Sequence, residues 1–268
     1  MTGNRSTSQK AMQKRLLIRR VLISVCFVLA LIVFLFSAAL LIGQIRAQAA
    51  EQVDVELVFL SDASLSIDDA EIEFQRKGYA DALLHPDVLT AIKRGALGKI
   101  AVTFMEWADF SSQDVVVPWM IIDGKASAEQ FGKTLLSVPR KTYGTNAIGA
   151  AIAAGQRQIE QNAYDGLRKV IDFSGDSANN WDGITIEEAR DSALAAGIII
   201  NGLPVECPGD DCSGSPVGYD LKKAFKEKII GGPGSFVVVA DKNTRFSEAV
   251  RRKLILELAS LTPNRVRR

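Results

Sequence analysis

The sequence predicts an α/β domain: a doubly wound, mostly parallel six-stranded sheet with one antiparallel edge strand, preceded by an N-terminal hydrophobic helix. Three observations carry this reading. From residue 53 onward short apolar runs alternate with helical patterns, as in a parallel sheet covered by helices on both faces. Runs such as Leu57-Val58-Phe59-Leu60 are continuously apolar, which suits strands buried on both sides. Ahead of them, residues 21–45 carry no charged side chain.

Taken in order, 53–60 reads as the first strand. A helix follows over 67–84, with Ile67, Ala70, Phe74 and Gly78 at helical spacing and Asp68 and Asp69 in its first turn, where they complement the dipole. Residues 99–107 form a second strand, and 114–122 a third that Pro118 demotes to an edge. A short helix fits 127–136, and a longer one fits 145–160, with Ile148, Ala151, Ile152, Gly155 and Ile159 on one stripe. Then come a strand at 169–174, a helix at 184–196, a strand at 198–203, a helix at 219–230, a strand at 236–240 and a last helix at 246–261. Gly231-Gly232-Pro233-Gly234 is a turn; without a following Lys-Ser/Thr and helix it is no phosphate loop.

Charge divides the chain. The formal net charge is +1, yet the first 49 residues hold seven basic residues and no acid, which leaves −6 for the remainder. Such a domain repels a polyanion, so a nucleic-acid partner is not expected. A helix over the 25 uncharged residues exceeds the roughly 30 Å of a bilayer's hydrocarbon at about 1.5 Å per residue. Six basic residues precede it, so the expected orientation exports the α/β domain to the periplasmic side. Ala47-Gln48-Ala49 before Ala50 resembles a signal-peptide cleavage site. Two outcomes therefore stay open: one helix anchoring the protein in the cytoplasmic membrane, which the length of the run favours, or cleavage near Ala49 and a soluble periplasmic or secreted product. The expected segments are a basic stretch at 1–20, the apolar run at 21–45, a linker at 46–52, the α/β domain at 53–261 and a basic tail at 262–268.

In such a sheet, ligands bind beyond the carboxyl ends of the strands. The first strand leads into Asp62-Ala63-Ser64-Leu65-Ser66, which offers one carboxylate and two hydroxyls. Hard oxygens without His or thiolate suit magnesium, manganese or calcium rather than zinc. Thr145 follows Gly144 at the predicted start of the long helix, and Asp176 follows Phe173-Ser174-Gly175 at the end of another strand. Three strand–helix units thus converge on one edge. Glu106 ends the second strand and is expected near that edge as a supporting or partner-contacting group, with Asn179 and Asn180 beyond Asp176. Asp172 interrupts an apolar strand and is expected to be a buried, hydrogen-bonded carboxylate. His85, the single histidine, precedes Pro86 and reads as a surface or capping residue rather than a base. Cys207 and Cys212 stand in a turn-rich segment, where an oxidising compartment would permit a local disulfide.

The combination of D-x-S-x-S at 62–66, Gly144-Thr145 and Ser174-Gly175-Asp176 resembles the metal-ion-dependent adhesion site of von Willebrand factor type A domains. The resemblance covers residues 53–261. Segments 75–79, 101–108, 170–176, 200–204 and 230–234 further resemble a family of secreted bacterial proteins of unknown function that carry such a domain. The resemblance implies that Ser64 and Ser66 ligate the metal directly and Thr145 directly or through water. Asp62 and Asp176 would act mainly through water, orienting the hydroxyls. It also implies magnesium as the first choice of cation, with manganese or calcium as alternatives. The expected function is non-catalytic: a cation-dependent binding module that takes a carboxylate of a protein or other ligand into the metal shell. Two other readings stay open, a phosphatase-like metal-assisted hydrolase and a structural envelope protein whose metal only stabilises the fold. The first of these lacks a second carboxylate two residues after Asp62, where Ser64 stands.

Overall fold

A computed structural model of the chain describes residues 28–34, 50–206, 219–241 and 245–259. The described residues from 50 onward form one compact unit. Its sheet has five strands in the order β3-β2-β1-β4-β5: β1 (Glu51–Asp62), β2 (Ile100–Trp107), β3 (Gln113–Ile122), β4 (Tyr164–Gly175) and β5 (Ile198–Pro204). β1 is central and parallel to β2 and β4, β5 is parallel to β4, and β3 alone is antiparallel, on the edge. The helices are α1 (Asp69–Leu84), α2 (Pro86–Lys93), α3 (Lys125–Ser137), α4 (Ile148–Glu160), α5 (Ile186–Ala195), α6 (Leu221–Ala224, continued by a π turn over Phe225–Ile229) and α7 (Phe246–Ala259).

Alternation along the strands builds two cores. Val55, Leu57 and Phe59 of β1 join Val102 and Phe104 under α1, α2, α3 and α7. Val58 and Leu60 point the other way, with Met105, Trp107, Ile171 and Phe173, against α4, α5 and α6. This period of two decides later which polar residues meet. Where the parallel strands end, at Asp62, Trp107 and Gly175, their loops gather on one edge of the sheet.

The expected sixth strand is a correction. Residues 236–240 lie beside β5 but pair only through isolated bridges, Gly202 with Val237 and Val205 with Ala240. Gly202 donates to Phe236, Val238 to Gly202, Ala240 to Pro204 and Glu206 to Ala240. The bond that would join the two bridges needs an N–H from residue 204, which is proline and has none.

α1 also differs from expectation. Phe74 is exposed, while Ile72, Gln75, Arg76, Tyr79 and Leu83 are buried. The inward stripe is rotated because two polar side chains find buried partners: Gln75 accepts from Ser61 at 2.8 Å and Arg76 pairs with Glu106 at 2.7 Å. Asp68 caps the helix reciprocally with Glu71, fixing where the loop after β1 turns into the helix. The long helix begins at Ile148 rather than at residue 145. α2 adds a helix to the expected set; His85 accepts from the N–H of Asp87 and Pro86 takes the first helical position.

The expected membrane anchor is corrected. Among the described residues no helix is long and apolar enough to cross a membrane. Within 21–45 the described residues are 28–34, which are helical. Placement by an uncleaved helix is thereby withdrawn, and the expected cleavage region at 47–49 lies outside the described residues. Cys207, Cys212 and the tail at 262–268 lie outside the described residues.

Candidate metal centre

β1 delivers Asp62 to the sheet edge and the chain then turns sharply. Asp62 Oδ1 accepts the N–H of Ser64 at 2.8 Å, an Asx turn that folds Ser64 back over the carboxylate. Ser64 Oγ lies 3.2 Å from Ser66 Oγ. From 114 residues further along the chain, the N–H of Asp176 donates to Asp62 Oδ2 at 3.4 Å. Asp62, Ser64 and Asp176 are buried, and Ser66 stands at the exposed mouth. The structure therefore brings four of the five expected ligand residues into one cluster.

Thr145 reaches this neighbourhood through its backbone. Gly144 accepts from the N–H of Leu65 at 2.9 Å, which ties the loop before α4 to the centre of the D-x-S-x-S turn. Thr145 itself is exposed in that loop. Gly144 has a φ of 132°, and a Cβ there would lie 2.3 Å from Asp109 Oδ2. Only glycine fits both constraints.

The floor of the site is apolar. Trp107 and Phe173 stack with centroids 5.0 Å apart, and Trp107 Nε1 donates to the carbonyl of Ser174 at 3.2 Å. Over this floor burial, and then the charge of Asp176, push Asp62 up to about 7. Asp176 is likewise raised, chiefly by burial; Ser66 pulls it down and Glu71 pushes it up. Its Oδ1 is buried without a hydrogen-bond partner. Two desolvated carboxylates, one unpartnered oxygen and two adjacent hydroxyls fit a hard dication. Among the described residues no three His, Cys, Asp or Glu group together as a metal site. A cation here would depend on the serine and threonine hydroxyls.

The remaining expected residues take other places. Glu106 is beside Ser61 in the register of β1 and β2. It shares that residue's face and turns toward α1, where Arg76 Nε holds its Oε1 at 2.7 Å. Asp62, one residue on, faces the opposite side. Asn180 ties loops together: its Oδ1 accepts from Gly149 at the start of α4, and its Nδ2 donates to the carbonyls of Asp182 and Ile184. Asn179 is exposed. Asp172 is wholly buried, and its Oδ1 lies 2.7 Å from Lys253 Nζ on α7. The same Nζ donates to Glu257 at 2.7 Å, and Glu257 accepts from Asn201 at 3.0 Å. Burial pushes Asp172 up to about 7, with Lys253 pulling it down and Glu257 pushing it further up.

Arg140 is the residue that sequence reasoning missed. Its Nη2 donates to the carbonyl of Ala63 at 2.7 Å, and its Nη1 to Ile67 at 3.0 Å and to Asp69 at 2.9 Å. One guanidinium thus clamps both ends of the serine loop, and it packs 4.4 Å from the ring of Tyr143. No spacing rule marks it; the one hint is a cation just before Gly144-Thr145.

The fold is that of a von Willebrand factor type A-like domain. Solved structures agree. The chain is similar to the pilus adhesin SpaC of Lactobacillus rhamnosus GG in its open conformation (14% identity, TM-score 0.53, 79% of this chain and 30% of that one). It is similar to the SpRpn10 VWA domain (11%, 0.51, 76% and 96%). A third likeness is to proximal thread matrix protein 1 of the mussel byssus, solved with a zinc-occupied MIDAS motif (17%, 0.52, 78% and 49%). At these identities the likeness establishes the fold. The chain spans less than a third of the adhesin's length and about half of the mussel protein's. No curated protein matches the chain. A family model described as "Protein of unknown function (DUF1194)" matches residues 52–262, and the chain belongs to that family.

Proposed function

We propose that the domain is a non-catalytic binding module whose site takes up a divalent cation and, through it, a carboxylate of a partner. The observation that carries this is the buried pair Asp62 and Asp176, with Asp176 Oδ1 unpartnered, the Ser66 hydroxyl at the Asp176 carboxylate and that of Ser64 next to it. Ser64 and Ser66 would hold the ion directly. Asp62 and Asp176 would neutralise and orient from behind, and Thr145 would approach from the neighbouring loop. A bound cation would supply an electrophilic centre with room for one more oxygen ligand. Magnesium or manganese suits this oxygen set best, and the zinc in the mussel protein's motif supports a divalent ion at such a position. A binding role is supported by the location of His85, beyond the far end of α1 and about 24 Å from its site-facing start. No imidazole stands beside Asp62 to move a proton.

Titration of the full chain with Mn²⁺ after chelator treatment tests the reading. One ion taken up, with uptake lost in Ser64→Ala and Asp62→Ala while circular dichroism is unchanged, supports it. No uptake by the wild-type chain overturns it.

A further inference from the structure

Around the proposed metal centre, four loops each place an apolar side chain in solvent. Leu65 is 75% exposed, Phe110 58%, Tyr143 51% and Trp181 74%. These side chains belong to one rim. Leu65 bonds through its backbone to Gly144, beside Tyr143, and Trp181 donates its N–H to the carbonyl of Asn146 at 2.7 Å. Gly183 is close to Phe110, since a Cβ built there would lie 3.1 Å from the phenyl Cβ. Ala147 donates to the carbonyl of Ala108 at 2.8 Å, which fastens the loop after β2 to the start of α4. Exposed aromatic groups that cluster at one site on an otherwise charged surface mark an interaction surface.

Acidic residues also surround the serine loop. Asp68, Asp69, Glu71, Asp182, Glu187 and Glu188 stand at the sheet edge or in the first turns of α1 and α5, against Arg140 and Lys141. From Tyr143 the rim continues into a groove of ≈ 540 Å³ that Arg140, Val138, Leu136 and Ile72 help to line. The surface therefore combines a centre that would hold a cation, exposed apolar side chains around it and an acidic margin.

We infer that the partner is a protein segment carrying one Asp or Glu flanked by apolar side chains, with basic residues farther out. This rests on the metal-site reading for its centre and on the exposed ring for its specificity. The carboxylate would complete the ion's shell, the flanking side chains would cover Phe110, Trp181 and Leu65, and the basic positions would meet the margin. An anionic bilayer is disfavoured, because the acidic margin would face like charge.

The test uses two synthetic peptides, each with a single Asp between Lys-bearing ends, flanked in one by Leu and Phe and in the other by Ser. Both are titrated into the Mn²⁺-loaded full chain. The apolar-flanked peptide is expected to bind at least about tenfold more tightly, with Phe110→Ser and Trp181→Ser each removing about tenfold and leaving Mn²⁺ uptake unchanged. Equal affinity for the two peptides, or variants that bind like the wild type, overturns the inference while the metal reading stands. Failure to take up Mn²⁺ overturns both. Recruitment to phosphatidylserine vesicles that Phe110→Ser and Trp181→Ser abolish, without a preference between the peptides, reassigns the ring to a membrane surface and also overturns it.

Discussion

Arg140 Nη2 donates to the carbonyl of Ala63 at 2.7 Å, from 77 residues away in the chain. The side chain is a brace between two loops: its remaining donors reach Ile67 and Asp69 on one side and the carbonyl of Thr142 on the other. The serine loop therefore does not hold its shape alone.

Replacing that brace should be felt first by the ion. Arg140→Ala is expected to weaken Mn²⁺ uptake about 10–100-fold, as loss of an orienting partner does. It should also lower stability by about 1–3 kcal/mol, because the carbonyls of Ala63 and Ile67 lose their donor. Calorimetric titration and urea denaturation check the two effects separately.

Asp62 makes the metal-free protein sensitive to pH. Its carboxyl titrates at about 7 in the folded chain against 3.8 unfolded. The folded state therefore keeps the proton that the unfolded state has lost. Stability from this group is full below about pH 4 and drains away as pH rises toward 7. The difference in urea midpoint between wild type and Asp62→Asn should shift against the wild type over that window. Mn²⁺ uptake should run the other way, weakening on acidification below pH 7 as protons compete for the oxygens. An unchanged wild-type-minus-variant difference from pH 4 to 7 would contradict this assignment.

Asp176→Asn separates function from stability. It removes a raised, partly unpartnered carboxylate, so the metal-free variant should be no less stable than the wild type while Mn²⁺ uptake falls at least about tenfold. Thermal unfolding with and without Mn²⁺ should show the ion stabilising the wild type more than the variant.

At Gly144 the limit is steric. Alanine there would be strained at a φ of 132° and would strike the Asp109 carboxylate. Gly144→Ala should lower stability by about 1–3 kcal/mol, seen as a lower urea midpoint with an unchanged slope.

Far from the solvent, Lys253 is wholly buried between Asp172 and Glu257. Lys253→Met should cost about 3–5 kcal/mol, since it strands two buried carboxylates. Adding Asp172→Asn and Glu257→Gln should recover most of the loss, measured by the same denaturation.

Much of this fold is legible in the chain because it is periodic or local. Apolar runs such as 57–60 announce a sheet buried on both faces, and Asp62-Ala63-Ser64-Leu65-Ser66 carries its turn chemistry within five residues. Several features of the domain stay hidden because they involve partners that meet only in space. Gln75 and Arg76 stand off the predicted apolar stripe of α1, and their burial shows only once Ser61 and Glu106 are seen to receive them. The alternation of β2 sends Glu106 away from Asp62, although both end neighbouring strands. Lys253 carries no sign of its burial, because its partner Asp172 lies on another element. Arg140 acts through backbone carbonyls, which leave no trace in side-chain spacing.

The two prolines at the flanks of the sheet have a consequence for self-association. Pro118 interrupts the outermost strand β3, where the register with β2 shifts near Val117, and Pro204 breaks the pairing beyond β5. Neither flank offers an unbroken row of donors and acceptors onto which another copy could zip. A protein with a sticky rim can thus be crowded on a surface or in solution without its sheets fusing into fibres.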